Sequence, residues 1–360
     1  MTKSSYDILI LGASYGSLLA TKLALAGHNT TMVCLPHEVE LFNDEGAIVR
    51  IPVKGREGLV EVRSSKLEGK VSAAGPADVD PAKFDLVCLG MQEPQYRLPG
   101  VRELMAKVAA SGKPCMSIMN MPPMTYLARI PGLDITKLRD CFADATVWDM
   151  FDPNLMTLCS PDPQAFRPPE EKVNVLQVSL PTNFKAARFE NDAHTAIIAK
   201  LAADVEAARF DAGDGSGPLE LPVKLKVHSS IYVPLAKWAM LLTGNYRCVM
   251  ADEMRPIRDA VHSDLTQSKE IYDWVKALCV KIGADEADMV PFEKYAAAAK
   301  GLAKPSSAAR ALAAGAPNIE RVDKLVQGIA RQHGLAHPSI DATVALVEGW
   351  LAKNRKKAAG

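Results

Sequence analysis

The stretch Asp7-Ile-Leu-Ile-Leu-Gly12-Ala-Ser-Tyr-Gly16-Ser17-Leu-Leu-Ala-Thr-Lys-Leu-Ala-Leu-Ala-Gly27-His28 carries three patterns in succession. Ile8, Leu9, Ile10 and Leu11 form an unbroken apolar run, the mark of a strand buried on both faces. Leu18, Leu19, Leu23 and Ala26 then recur at helical spacing. Between them the chain has to turn sharply and open a helix. The first N–H groups of a helix have no partner within it, and the helix dipole puts partial positive charge at the same place, so such a corner suits phosphate. This predicts the first βα unit of a dinucleotide-binding fold, with Gly12, Ala13, Ser14, Tyr15, Gly16 and Ser17 around a pyrophosphate. The usual spacing is G-x-G-x-x-G. Here Ser14 stands between Gly12 and Gly16 and the turn is one residue short. A βα turn without a ligand is the plainer reading.

With 360 residues the chain can bury a large core, and two domains are expected. Lys plus Arg number 42, as do Asp plus Glu, so the net charge of zero asks for neither nucleic acid nor an anionic membrane. No apolar run is long enough to span a bilayer. The first strand begins too soon after Met1 for a signal peptide. The seven cysteines are scattered without a C-x-x-C pair, so no metal site and a reduced, cytoplasmic protein are expected.

Asn29–Val33 reads as the second strand and leads into Cys34-Leu35-Pro36-His37, which offers neither the acid of an NAD site nor the arginine of an NADP site. His37 is a loop histidine or a contact for a 2′-phosphate. Residues 46–52 and 59–65 suggest a hairpin. Phe84–Gly90 and Pro114–Met119 are further buried strands, with a helix over Val101–Ala110. Gly12, Met91 and Asn120 all follow strands, where ligands lie in such a sheet. Residues 137–180 are expected to supply antiparallel strands that complete the sheet, and residues 193–209 a helix. Asp211-Ala-Gly-Asp-Gly-Ser-Gly-Pro218 is the clearest loop. The boundary is placed at 222/223. Beyond it, one long helix is expected over Val223–Tyr246, others over Ser263–Ile282, Ser306–Ala314, Ile319–His333 and Ser339–Lys353, and a solvated tail from Asn354.

The segment Lys304-Pro-Ser306-Ser307-Ala308 through Gly315, Asn318-Ile-Glu320-Arg-Val-Asp323, Gly334 and Pro338 resembles the ketopantoate reductase (2-dehydropantoate 2-reductase) family. The resemblance extends to the glycine turn, the Asn120 loop and Lys237-Trp238. It implies a Rossmann-type α/β domain followed by an all-α domain like the C-terminal part of 6-phosphogluconate dehydrogenase. It also implies NADP, with NAD as alternative, a small 2-oxo acid as substrate, and a homodimer. Carried over by position, the family's lysine falls on Met240, its glutamate on Asn318, its second lysine on Met91 and its arginine on Leu35. Asn120 matches, and Ser306-Ser307 match in type.

Lys237 lies one helical turn before Met240, and Asn245 follows it by the eight residues that the family has between its lysine and an asparagine. A shift of one turn restores both. Glu320, two residues past Asn318, could likewise supply a carboxylate, although two residues on a helix rotate it well away. Otherwise Lys237 reaches solvent and Glu320 caps or decorates its helix. The expected catalytic and substrate residues are therefore Lys237, Asn245, Ser306 and Asn318, in a cleft between the domains, with His228 as reserve proton donor and Met91 and Asn120 at the cofactor. Lysine or histidine suits the need to protonate an alkoxide. The substituted positions argue against ketopantoate itself. An opine-type dehydrogenase is the second enzyme reading, although His228, His262 and His333 lack an evident acidic companion. A non-catalytic NAD(P)-binding sensor is the third.

Overall fold

A computed structural model describes residues 4–215 and 217–359; Met1–Lys3, Ser216 of the glycine-rich loop and Gly360 lie outside the described residues, as do the expectations placed on them. The strands are β1 Asp7–Leu11, β2 Asn29–Val33, β3 Ile48–Pro52, β4 Leu59–Arg63, β5 Val71–Ala74, β6 Leu86–Leu89, β7 Cys115–Ile118, β8 Met156–Ser160, β9 Gln164–Phe166, β10 Val175–Leu180, β11 Phe184–Ala187, β12 Phe210–Asp211, β13 Pro218–Leu219 and β14 Leu225–His228. The α-helices are α1 Ala13–Leu25, α2 Pro36–Glu45, α3 Val101–Ala110, α4 Met124–Leu127, α5 Asp192–Ala207, α6 Lys237–Met240, α7 Ile257–His262, α8 Leu265–Lys281, α9 Phe292–Ala299, α10 Ser307–Ala313, α11 Val322–Gln332 and α12 Pro338–Ala359.

The chain divides into two units. The first comprises Met1–Met91, Leu98–Met119 and Met150–Ser229; the second comprises Gln92–Arg97, Asn120–Asp149 and Ser230–Gly360. Relative to the expected boundary, the first unit runs on to Ser229 and two earlier segments join the second.

The first unit is built on a sheet ordered β14-β11-β8-β7-β6-β1-β2-β5. From β5 to β8 every pairing is parallel. The order reverses between β1 and β6, the switch point where this class of sheet binds its ligands. Ile8 to Leu11 have no exposed surface, as their unbroken apolar run requires. On α1, Gly16 lets the helix lie against β1: a Cβ there would sit 2.7 Å from Ile10 Cγ2.

The 46–65 hairpin forms as expected, β3 pairing antiparallel with β4. Of the antiparallel strands expected in 137–180, β8 joins the main sheet between β7, to which it is parallel, and β11, to which it is antiparallel; β10 lies instead in a second sheet ordered β4-β3-β10-β9, parallel to β3 and antiparallel to β9. All five residues of β8 are buried, which suits a strand flanked on both sides within the sheet.

The helix expected over Val223–Tyr246 is not one helix. Its start is β14, which pairs parallel with β11. Val223, Leu225 and Val227 alternate with Lys224, Lys226 and His228, a two-residue period that marks a strand. Val223 has φ +66°, a left-handed conformation unfavourable for a β-branched residue. Lys22, buried on α1, donates to the Leu221 carbonyl (3.1 Å) and the Pro222 carbonyl (3.0 Å) and so holds the chain at this bend. Burial, with the nearby Lys224 charge, lowers the Lys22 pKa to about 7.

In the second unit, the rest of the expected helix breaks into a 3₁₀ turn Val233–Ala236, α6, a π turn Leu241–Asn245 and a 3₁₀ turn Tyr246–Cys248. Tyr295 Oη donates to the Met240 carbonyl (3.0 Å), the group that the Gly244 N–H would meet in an α-helix. Only glycine fits at 244, because a Cβ would fall within contact of Tyr295 Oη. The inserted hydroxyl accounts for the π turn. The tail expected from Asn354 is helical, since α12 continues to Ala359. Asn354 is buried and its Nδ2 donates to the Leu312 (2.9 Å) and Ala316 (3.1 Å) carbonyls.

Candidate functional site

Two sets of residues carry the candidate chemistry, one in each unit. In the first unit, a single residue, Gly12, joins β1 to α1. Its φ is +103° and its N–H donates to the Val33 carbonyl at the end of β2 (2.9 Å). A Cβ at Gly12 would lie 2.6 Å from Met91 Cγ and 3.1 Å from the Gly90 oxygen, so the ends of β1 and β6 meet closely here. Because the turn is one residue short, the helix starts at Ala13, and Ser14 is exposed on its first turn.

Neither a side-chain cap nor an acidic residue stands at this helix start. What suits this corner to a diphosphate is the uncapped start of a thirteen-residue helix with no acidic residue in its first turn. Tyr15, on the same first turn, has partners of its own. Its hydroxyl donates to the Pro163 carbonyl (2.7 Å) and its ring packs edge-on against Phe184. Ser17 Oγ turns back to the Ser14 carbonyl (2.9 Å).

The second unit holds a small cleft lined by Gln92, Asn120, Leu241, Asn245, Tyr246 and Glu320, with Ser307, Ala308 and Ile319. Glu320 is buried. Its Oε1 accepts from the Glu93 N–H and its Oε2 from Asn120 Nδ2, both at 3.4 Å. Burial pushes its pKa up to about 7; those two donors and the Lys237 ammonium oppose the rise, and Glu93 adds to it. Glu93, also buried, accepts the Ala143 N–H on both oxygens (3.1 Å each) and is likewise pushed by burial to about 7. Asn120 Oδ1 is buried with no hydrogen-bond partner.

Glu320 reaches the cleft because residues 318–321 are not helical; α11 begins only at Val322. The turn of a helix, which would have carried Glu320 away from the position of Asn318, does not apply. The segment is pinned on both sides. Tyr246 Oη donates to the Glu320 carbonyl and accepts from the Val322 N–H (3.0 Å). Arg321 makes a two-pronged pair with Asp323 (2.9 Å on each prong) and a third bond to Glu348 (2.7 Å).

Lys237 and Asn245 are related by the π turn. It uses one more residue than an α turn, so Asn245 stands where the seventh residue after Lys237 would stand on a regular helix, on the same face. Asn245 lines the cleft, and Lys237 acts on Glu320.

The other expected residues stand elsewhere. Ser306 caps α10, accepting from the Ala309 N–H (3.2 Å) and donating to the Asn245 carbonyl (2.7 Å); its neighbour Ser307 lines the cleft. Asn318 does not line it and lies by Arg97, Arg355 and the Pro317 carbonyl. His228 is part of β14 in the first unit.

Glu93 was not singled out in the sequence. Its only signal there is an acid four residues beyond a buried strand. The first unit also holds a His–Asp pair, His28 with Asp204 (3.0 Å), but His28 Nδ1 accepts the Tyr6 N–H (3.2 Å) at the amino end of the strands. That pair fastens the amino end of β1, away from the carboxyl ends where ligands bind.

No protein-family model matches the chain. No curated protein matches it either. Solved structures do. The 2-dehydropantoate 2-reductase of Methylococcus capsulatus superposes with a TM-score of 0.64, covering 97% of this chain and 97% of its own at 14% identity. A dimeric ketopantoate reductase from Staphylococcus aureus gives 0.60 over 97% and 99% at 12% identity. Octopine dehydrogenase in complex with NADH and agmatine gives 0.57 over 96% and 90% at 12% identity. The fold is therefore of the class that joins a Rossmann-type α/β unit to a helical one. More particularly, it is the fold of the ketopantoate reductases.

Proposed function

We propose that this chain is a nicotinamide-dependent oxidoreductase, with NADP as cofactor and NAD as the alternative, acting on a small 2-oxo or 2-hydroxy acid or a related carbonyl compound other than ketopantoate. The observation that carries the proposal is the Glu320 carboxyl, buried beside Asn120 and Asn245 and felt by the Lys237 ammonium. The amide groups from Ala13 to Gly16 would hold the diphosphate. A bound nicotinamide supplies or accepts the hydride.

The chain's own residues handle the proton and the substrate. In reduction, the carbonyl oxygen gains negative charge and needs a proton. Lys237 Nζ gives it, and the Glu320 carboxyl, on which that ammonium acts, lines the cleft that would take the substrate. Asn120 and Asn245 orient the substrate by hydrogen bonds, and Ser307 stands at the rim. The fold shared with a dimeric reductase supports a homodimer as the working form.

Titration with NADPH and NADH, followed by nicotinamide fluorescence, comes first, then turnover on a panel of 2-oxo acids and alcohols. Lys237→Ala should lose more than tenfold in kcat with cofactor affinity unchanged. Unchanged turnover discards Lys237 as the acid. Failure to bind either cofactor discards the enzyme reading, and binding without turnover on any panel member favours a sensor.

A further inference from the structure

The Rossmann-type fold reads the adenosine ribose just beyond β2, with an acid for a free 2′-hydroxyl or an arginine for a 2′-phosphate. At this place the chain has Leu35, 59% exposed, and an exposed His37. The charged groups arrive from two other directions. Glu38, on the first turn of α2, is buried; Arg167 comes from the segment after β9, and its Nη1 meets Glu38 Oε1 at 2.5 Å. The guanidinium lies 5.9 Å from the centre of the Phe42 ring. Only Cys34 and Leu35 separate β2 from α2, whose first turn carries Glu38, so the pair stands by the end of that strand.

The pair leaves one group unused. Arg167 Nη2 is shielded from water and has no hydrogen-bond partner, while the side chain as a whole keeps 23% of its surface exposed. An unmet buried donor is costly, about 1–3 kcal/mol and more for a charged group. A guanidinium fork suits a phosphate, which takes two of its N–H groups together. Glu38 accepts at Nη1 and anchors the fork, which leaves the second prong as the one without a partner.

We infer that Arg167 is the residue that selects the 2′-phosphorylated dinucleotide, with Glu38 as its positioning residue. The cation for the 2′-phosphate then comes from the second sheet rather than from the loop after β2, where Leu35 stands. This rests on the dinucleotide reading of the Gly12 corner.

Binding is measured calorimetrically with four probes: NADPH, NADH, adenosine 2′,5′-bisphosphate and 5′-AMP. The protein should bind each 2′-phosphorylated probe at least tenfold more tightly than its partner. Arg167→Met should reduce that preference to within threefold while leaving the NADH affinity unchanged. If Arg167→Met fails to fold with Glu38 left unpaired, the double variant Glu38→Gln/Arg167→Met removes both charges and carries the same expectation. Equal binding of the paired probes by the unaltered protein, a preference for NADH, or a preference surviving in the double variant would each overturn the assignment of Arg167 alone. Failure of all four probes to bind would overturn the dinucleotide reading as well.

Discussion

Glu320 is a carboxyl group taken out of water with only two long hydrogen bonds to its oxygens. Its pKa rises from an ordinary 4.5 to about 7, so between those values the folded chain holds a proton that the unfolded chain has lost. Folding stability therefore falls as pH rises through this window, and the penalty is complete above it. Glu320→Gln removes the titrating group. We expect the variant to gain stability relative to the unaltered protein on going from pH 5 to pH 8, by roughly 3 kcal/mol in urea unfolding. Parallel pH profiles would show that Glu320 is not perturbed. Asp323 is a contrasting case, since it is buried but gripped by Arg321 on two prongs. Asp323→Ala leaves a buried guanidinium with only Glu348 for a partner and should cost about 3–5 kcal/mol; a loss below 1 kcal/mol would place that charge in water.

Elements differ in how openly the sequence declared them. The runs around Ile8–Leu11, Leu86–Leu89 and Cys115–Ile118 announce buried parallel strands, because a strand covered on both faces reads as a nearly continuous apolar run. Gly12 and Gly16 likewise declare a tight strand-to-helix corner. The broken helix after Ala236 was not legible. Its π turn depends on Tyr295, fifty-five residues away in the chain, placing a hydroxyl on the Met240 carbonyl. Spacing along one segment cannot report a partner from another. Glu93 was missed for the same reason: its burial and its bonds to Ala143 come from folding, not from a local pattern.

The π turn gives a test at this scale. Gly244→Ala would drive a methyl group into Tyr295 Oη and should destabilise the second unit by about 1–3 kcal/mol. Moving Asn245 along with it should also raise KM for any substrate found. Gly16→Val should cost a similar amount in the first unit, because Ile10 already occupies the space. Unfolding midpoints within experimental error of the unaltered protein would mean that these contacts relax freely.

Across the whole chain, the seven cysteines behave alike although both units contain them. All are buried, and burial raises the Cys34 thiol to about 11 and those of Cys115, Cys141 and Cys279 to about 12. Thiols so held have little thiolate at neutral pH and little access to reagent. Native protein should react with Ellman's reagent at none of the seven within minutes, and at all seven after unfolding. A fast thiol in the native state would reveal a unit that opens readily. Among the described residues, no helix is long and apolar enough to cross a membrane.

The buried ammonium of Lys22 grips the main chain just beyond the glycine-rich loop, while α1, which carries it, precedes that loop by almost two hundred residues. A protease that nicks the loop near Gly213 would thus produce two fragments already fastened to each other, by this clasp and by the pairing of β14 with β11. They should migrate together under native conditions and part only in denaturant, so the covalent thread through the loop is dispensable once the unit has folded.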